Sequence, residues 1–158
     1  MASSPRVAPR SAVVLARGNW ATTLTVLPPG KAQCPFHAHR GEEEMFFILE
    51  GEGELRFGDA RYPSRRNDVI ACPTGGAEVA HQIINTGTVE LRYLAVSNLV
   101  DVEACEFPDS GKLMVVTGRP GEPGMWVVLR AGGARRLLRG RARCGAARGR
   151  VSTPALRR

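Results

Sequence analysis

Pro35-Phe36-His37-Ala38-His39-Arg40-Gly41-Glu42-Glu43-Glu44-Met45-Phe46 carries two of the three histidines in a chain of 158 residues, and the architecture follows from its alternation. Along an extended strand, residues i and i+2 share a face, so His37 and His39 present their imidazoles to the same interior point. Arg40 to Glu43 reads as a turn, and the returning strand starts at Glu44. Phe46 and Ile48 continue the face of Glu44, while Met45 and Phe47 take the other. A Glu44 carboxylate oxygen then stands opposite the His pair. The third histidine, His81 in Val79-Ala80-His81-Gln82-Ile83-Ile84-Asn85, lies on a distant strand. Three imidazoles and one carboxylate make a donor set for a divalent first-row ion, with Mn, Fe, Ni, Co and Zn all suited to such ligands.

Working outward, β-branched and apolar residues gather in short runs: Trp20 to Leu27, Glu44 to Leu49, Gly53 to Phe57, Asp68 to Ala71, His81 to Asn85, Leu91 to Ser97, Lys112 to Thr117 and Met125 to Leu129. Turn clusters separate them, among them Pro28-Pro29-Gly30, Gly58-Asp59, Pro73-Thr74-Gly75-Gly76 and Asn85-Thr86-Gly87. No sustained 3.6-residue apolar period occurs before residue 131. Many short strands without helices predict an all-β jelly-roll or barrel over residues 20–130. Residues 1–19 read as a mobile lead-in and 131–158 as a separate tail.

The spacing of these motifs resembles that of the cupin superfamily. Its first motif runs Gly, H-x-H, three or four residues, Glu, six residues, Gly; His37, His39, Glu44 and Gly51 match it. Its second runs P-x-G, a short gap, His, three residues, Asn; Pro73, Gly75, His81 and Asn85 match that. Glu43 would fit the shorter spacing from His39, but Gly51 follows Glu44, not Glu43, at the six-residue interval. Three departures stand out. Six residues separate Gly30 from His37 where five are usual. Asn67 occupies a position usually held by Gly, and Asn readily takes a positive φ. Five residues, 76–80, precede His81 where two are usual.

The resemblance implies a double-stranded β-helix, a single cupin domain, and a metal held by His37, His39, Glu44 and His81. Phe36, Phe46, Ile48, Ile83 and Tyr93 read either as the lining of a small pocket over that metal or as jelly-roll core. Cys72 reads as a neighbour of the site or as a small buried apolar residue, the usual role of a free thiol. Arg56 and Arg92 are strand arginines that either meet an anionic ligand or face solvent. The four cysteines are widely spaced without a C-x-x-C pair, which predicts free thiols and a cytoplasmic setting. No apolar run approaches the ~20 residues of a membrane span.

The formal charge of +7 is unevenly placed. Residues 1–130 hold 13 basic against 15 acidic side chains, whereas 131–158 hold nine Arg and no acid. A nucleic-acid-binding domain carries its positive charge on the folded body; here the body is mildly acidic, so nucleic acid is not the expected partner. Arg135-Arg136-Leu137-Leu138-Arg139-Gly140-Arg141 can be encoded so that a one-base shift reads Val-Asp-Tyr-Tyr-Glu-Gly-Glu. That acidic ending resembles those of small cupins, and it predicts a frame shift near residue 131.

Cupins similar to this chain include sugar-phosphate isomerases, decarboxylases and dioxygenases, and the fold alone does not choose among them. The expected function is a metal-binding small cupin that acts on or binds a small oxygen-rich molecule. The alternatives are a non-catalytic ligand-binding or sensing module and, more weakly, nucleic-acid binding through the basic tail. The resemblance also implies a homodimer.

Overall fold

The computed structural model describes residues 10–118 and 123–130. Residues 1–9 of the expected lead-in, the basic tail and the frame-shift junction near residue 131 lie outside the described residues.

Twelve strands follow in order among the described residues: β1 (Arg10–Arg17), β2 (Trp20–Leu27), β3 (Ala38–His39), β4 (Glu44–Glu50), β5 (Glu52–Phe57), β6 (Ala60–Arg65), β7 (Val69–Cys72), β8 (His81–Ile84), β9 (Leu91–Asn98), β10 (Val102–Phe107), β11 (Lys112–Thr117) and β12 (Met125–Arg130). They assemble as a double-stranded β-helix. One sheet has the order β1-β2-β9-β4-β7, and two others run β12-β11-β10-β3 and β6-β5-β8. The last two are stitched by the chain at residues 37–39. His37 and His81 exchange both backbone hydrogen bonds, at 3.2 and 2.7 Å, and Ala38–His39 pairs with β10. The histidine segment is therefore the seam of a continuous wall facing the five-stranded sheet.

The expected lead-in is corrected in part: Arg10–Arg17 is a strand, antiparallel to β2 from Arg10↔Val26 to Arg17↔Trp20. Its lack of an apolar/polar alternation concealed it, because its partner strand, not its own pattern, sets its register.

Between the walls, Leu27, Phe46, Ile48, Leu55, Cys72, Ile83, Leu91 and Tyr93 form the main apolar core. Asn85 is fully buried beside it. Its amide nitrogen donates to the Leu27 and Val89 carbonyls and its oxygen accepts from the Gly87 amide, so every strong demand of the group is met. The motif Asn thus ties the β2–β9 end of one wall to the turn after β8.

Candidate metal centre

His37 precedes β3, His39 ends it, Glu44 opens β4 and His81 opens β8. The Nε2 atoms of His37, His39 and His81 lie 3.6, 3.5 and 2.8 Å from one atom, Glu44 Oε2. The four side chains singled out in the sequence are therefore gathered at one point. His37, Glu44 and His81 form the tighter group, with donor atoms within 4.8 Å of one another; His39 joins through Glu44.

The outer nitrogens explain the orientation of the rings. His37 Nδ1 is 2.8 Å from the Pro35 carbonyl and His81 Nδ1 is 3.5 Å from that of Val79. His39 Nδ1 faces Glu103 Oε1 at 3.4 Å, without hydrogen-bond geometry. Acceptors on the outer side favour Nδ1–H and leave the Nε2 lone pairs pointing inward. Three Nε2 atoms thus face one carboxylate oxygen: a cation would take their lone pairs, and without one a proton takes its place, as in the 2.8 Å hydrogen bond between His81 Nε2 and Glu44 Oε2. The donor set thus fits a divalent ion.

The electrostatics agree. Burial raises the carboxyl of Glu44, but hydrogen bonds with His37, His39 and His81 outweigh it and hold the group far below the usual carboxylate range. Burial lowers His39, and the facing Glu44, Glu103 and Glu42 carboxylates outweigh it, so the ring is held above its ordinary value.

Glu103 was not anticipated. Buried on β10, it accepts hydrogen bonds from the amides of Arg40 and Gly41 at 2.9 and 3.0 Å while facing His39. A Cβ at Gly41 would sit 2.8 Å from the same carboxylate, so the glycine allows the approach. The available signal was a Glu inside the Val102–Phe107 run, two residues from Cys105 and hence on its face.

Two cavities flank the centre. One, of about 330 Å³, is lined by Thr23, Thr25, Gln33, Cys34, Phe46 and Tyr93 with His37, Glu44 and His81. The other, of about 440 Å³, lies against His39, Glu42, Glu103 and Cys105 and extends beneath β11 and β12. Of the five side chains considered as pocket lining, Phe46, Ile83 and Tyr93 line the first cavity. Phe36 and Ile48 do not. Phe36, just before β3, packs with Ala38 and Ala80, and Ile48, on the same face of β4 as Phe46 but two residues further from Glu44, is sealed in the core. Arg56 forks onto Asp109 at 2.7 and 2.9 Å and stacks on the Phe36 ring. Arg92 meets Glu50 and Glu90. Neither arginine lines a cavity beside the centre.

Cys72 lies opposite Glu44 in the β4–β7 ladder but within the apolar core. Burial and then the Glu44 charge push its thiol up to about 12. Burial also holds the Tyr93 hydroxyl protonated, against a hydrogen bond with Thr25.

The cupin domain family matches residues 23–97. An oxalate-binding protein of Thermotoga maritima is 41% identical over 70 residues, covering 44% of this chain and 54% of that protein. The matched region spans about half the length of the curated relatives it matches. A structure from Acidithiobacillus ferrooxidans, provisionally named a sugar phosphate isomerase, is 27% identical with a TM-score of 0.65, over 77% of this chain and 73% of that one. A sugar phosphate isomerase of the cupin superfamily from Silicibacter pomeroyi has a TM-score of 0.70 at 20% identity, over 80% and 78%, a likeness of fold alone. Among the described residues, no helix is long and apolar enough to cross a membrane.

Proposed function

We propose that this chain, whose residues 23–97 match the cupin domain family, binds a divalent first-row metal ion through His37, His39, Glu44 and His81 and uses it to hold a small oxygen-rich acid. The observation that carries this is the convergence of three Nε2 atoms on Glu44 Oε2 at 2.8 to 3.6 Å. A bound ion would supply Lewis acidity to a carboxylate or carbonyl oxygen.

The cavity beside His37, Glu44 and His81 favours a small dicarboxylate over a sugar phosphate. At about 330 Å³ it is at the low end for ligand pockets. Its polar lining is neutral outside the donor set: Thr23, Thr25, Gln33 and the protonated Tyr93 offer hydrogen bonds. No Lys or Arg among its lining residues would clamp a phosphate. The charge of an acid would instead rest on the ion. The likeness to an oxalate-binding protein supports the same class of ligand. Glu42 and Glu103 on the other side repel anions, which directs entry through the neutral mouth.

The expected result is about one equivalent of metal after reconstitution and dialysis, measured by elemental analysis, and its loss in the His37→Ala/His39→Ala double variant. Calorimetry should detect oxalate binding to the loaded protein and none to the metal-free protein. Unchanged metal content in a folded double variant would overturn the assignment.

The proposal extends to assembly. Among the described residues β12 is a sheet edge, with Met125, Trp126, Val127, Val128 and Leu129 all exposed. The same strand of a second copy, laid antiparallel, would pair that edge and flank its apolar side chains with their equals on each face.

A further inference from the structure

His37, His39 and Cys105 form a second donor group overlapping the first. One ring nitrogen from each histidine and the Cys105 Sγ all lie within 4.8 Å of one another. Cys105 is the direct partner of His39 in the β3–β10 ladder, a relation that stands two side chains together on one face of the wall. By the two-residue period it shares that face with Glu103, which faces the outer nitrogen of His39.

Cys105 is 2% exposed and its thiol is in no disulfide. A buried free cysteine ordinarily fills apolar space, as Cys72 does within the main core cluster. Cys105 belongs to neither apolar cluster. Its distinctive neighbours are imidazoles.

We propose that Cys105 is a further donor to the metal centre, placing a sulfur beside His37 and His39 and biasing the site toward Co²⁺, Ni²⁺ and Zn²⁺ over Mn²⁺. Thiolate is a soft ligand that favours these ions, whereas Mn²⁺ prefers oxygen. On binding, a metal–sulfur bond forms and the thiol proton passes to solvent; no electron is transferred. Each protein donor on the ion leaves one fewer place for ligand, so a chelating dicarboxylate competes with the sulfur. The inference rests on the metal-centre reading above.

Co²⁺ loading of the full chain tests both and keeps them apart. The wild-type protein should show visible ligand-field bands from a bound ion together with a near-ultraviolet sulfur-to-cobalt charge-transfer band. Cys105→Ser should keep the visible bands and lose the near-ultraviolet one, while Cys72→Ser retains both. In competition, the preference for Zn²⁺ over Mn²⁺ should fall about tenfold or more in Cys105→Ser. Visible bands without a charge-transfer band in the wild type overturn the sulfur donor alone, whether or not the variant folds. A band that survives in Cys105→Ser does the same. No cobalt uptake by the wild type overturns the centre and the sulfur donor together.

Discussion

Glu44 lies against three imidazoles and is held ionised because their hydrogen bonds outweigh its burial. A bound ion would compete with protons for the Nε2 lone pairs, so the proposed site predicts that affinity falls as pH drops through the ordinary imidazole range, from about 7 to 5. In the metal-free protein the sign reverses for His39. Its raised value makes the protonated ring stabilising below the ordinary histidine pKa, and this contribution is lost as pH rises through the raised one. The stabilisation from Glu44 is present above the ordinary carboxylate range and fades only as pH falls through its depressed value. Calorimetric titration with Zn²⁺ across this window should therefore give weaker binding at each more acidic step; affinity independent of pH would show that the rings are not ligands. At this scale the spacing in the sequence singled out His37, His39, Glu44 and His81, which the fold brings together, and Asn67, expected to tolerate a positive φ, has φ 75°. Glu103 and Cys105 escaped because a buried carboxylate and thiol in a strand declare their role only through cross-strand partners.

Strands were legible where β-branched and apolar residues gather between turn clusters. The runs from Trp20, Glu44, His81, Leu91, Lys112 and Met125 each start where expected. β6 was not seen, since Pro63 and three arginines, Arg61, Arg65 and Arg66, in and just beyond it read as loop; it is an edge strand, where proline loses no ladder bond. β10 was hidden by the inward Glu103, and β3 has only two residues. Between β4 and β5 the turn depends on Gly51, which has φ +80° and would place a Cβ 2.5 Å from the Glu90 carbonyl. The motif glycine is therefore a backbone requirement of the hairpin. Gly51→Ala should destabilise the protein by more than about 1 kcal/mol, read as a lower midpoint in urea with unchanged slope. A midpoint equal to the wild type would show that the hairpin relaxes without cost.

Across the whole molecule, the proposed pairing of two copies turns on the β12 edge. Trp126 is 71% exposed, and apolar side chains on both faces of an edge strand favour pairing with another chain. Sedimentation should give a mass of two chains for the wild type and one for Val128→Lys, whose exposed position spares the core. A wild-type monomer at high concentration would remove this interface from the account.

The donors reach their meeting point from residues 37 to 81, on both walls of the barrel: Glu44 comes from the five-stranded sheet, and the histidines from the seam opposite. A cation seated there would act as a rivet through the sandwich. The unfolded chain offers no equivalent seat, so metal occupancy would count correctly closed barrels, and withdrawing the ion would loosen the two halves before it disturbed either one.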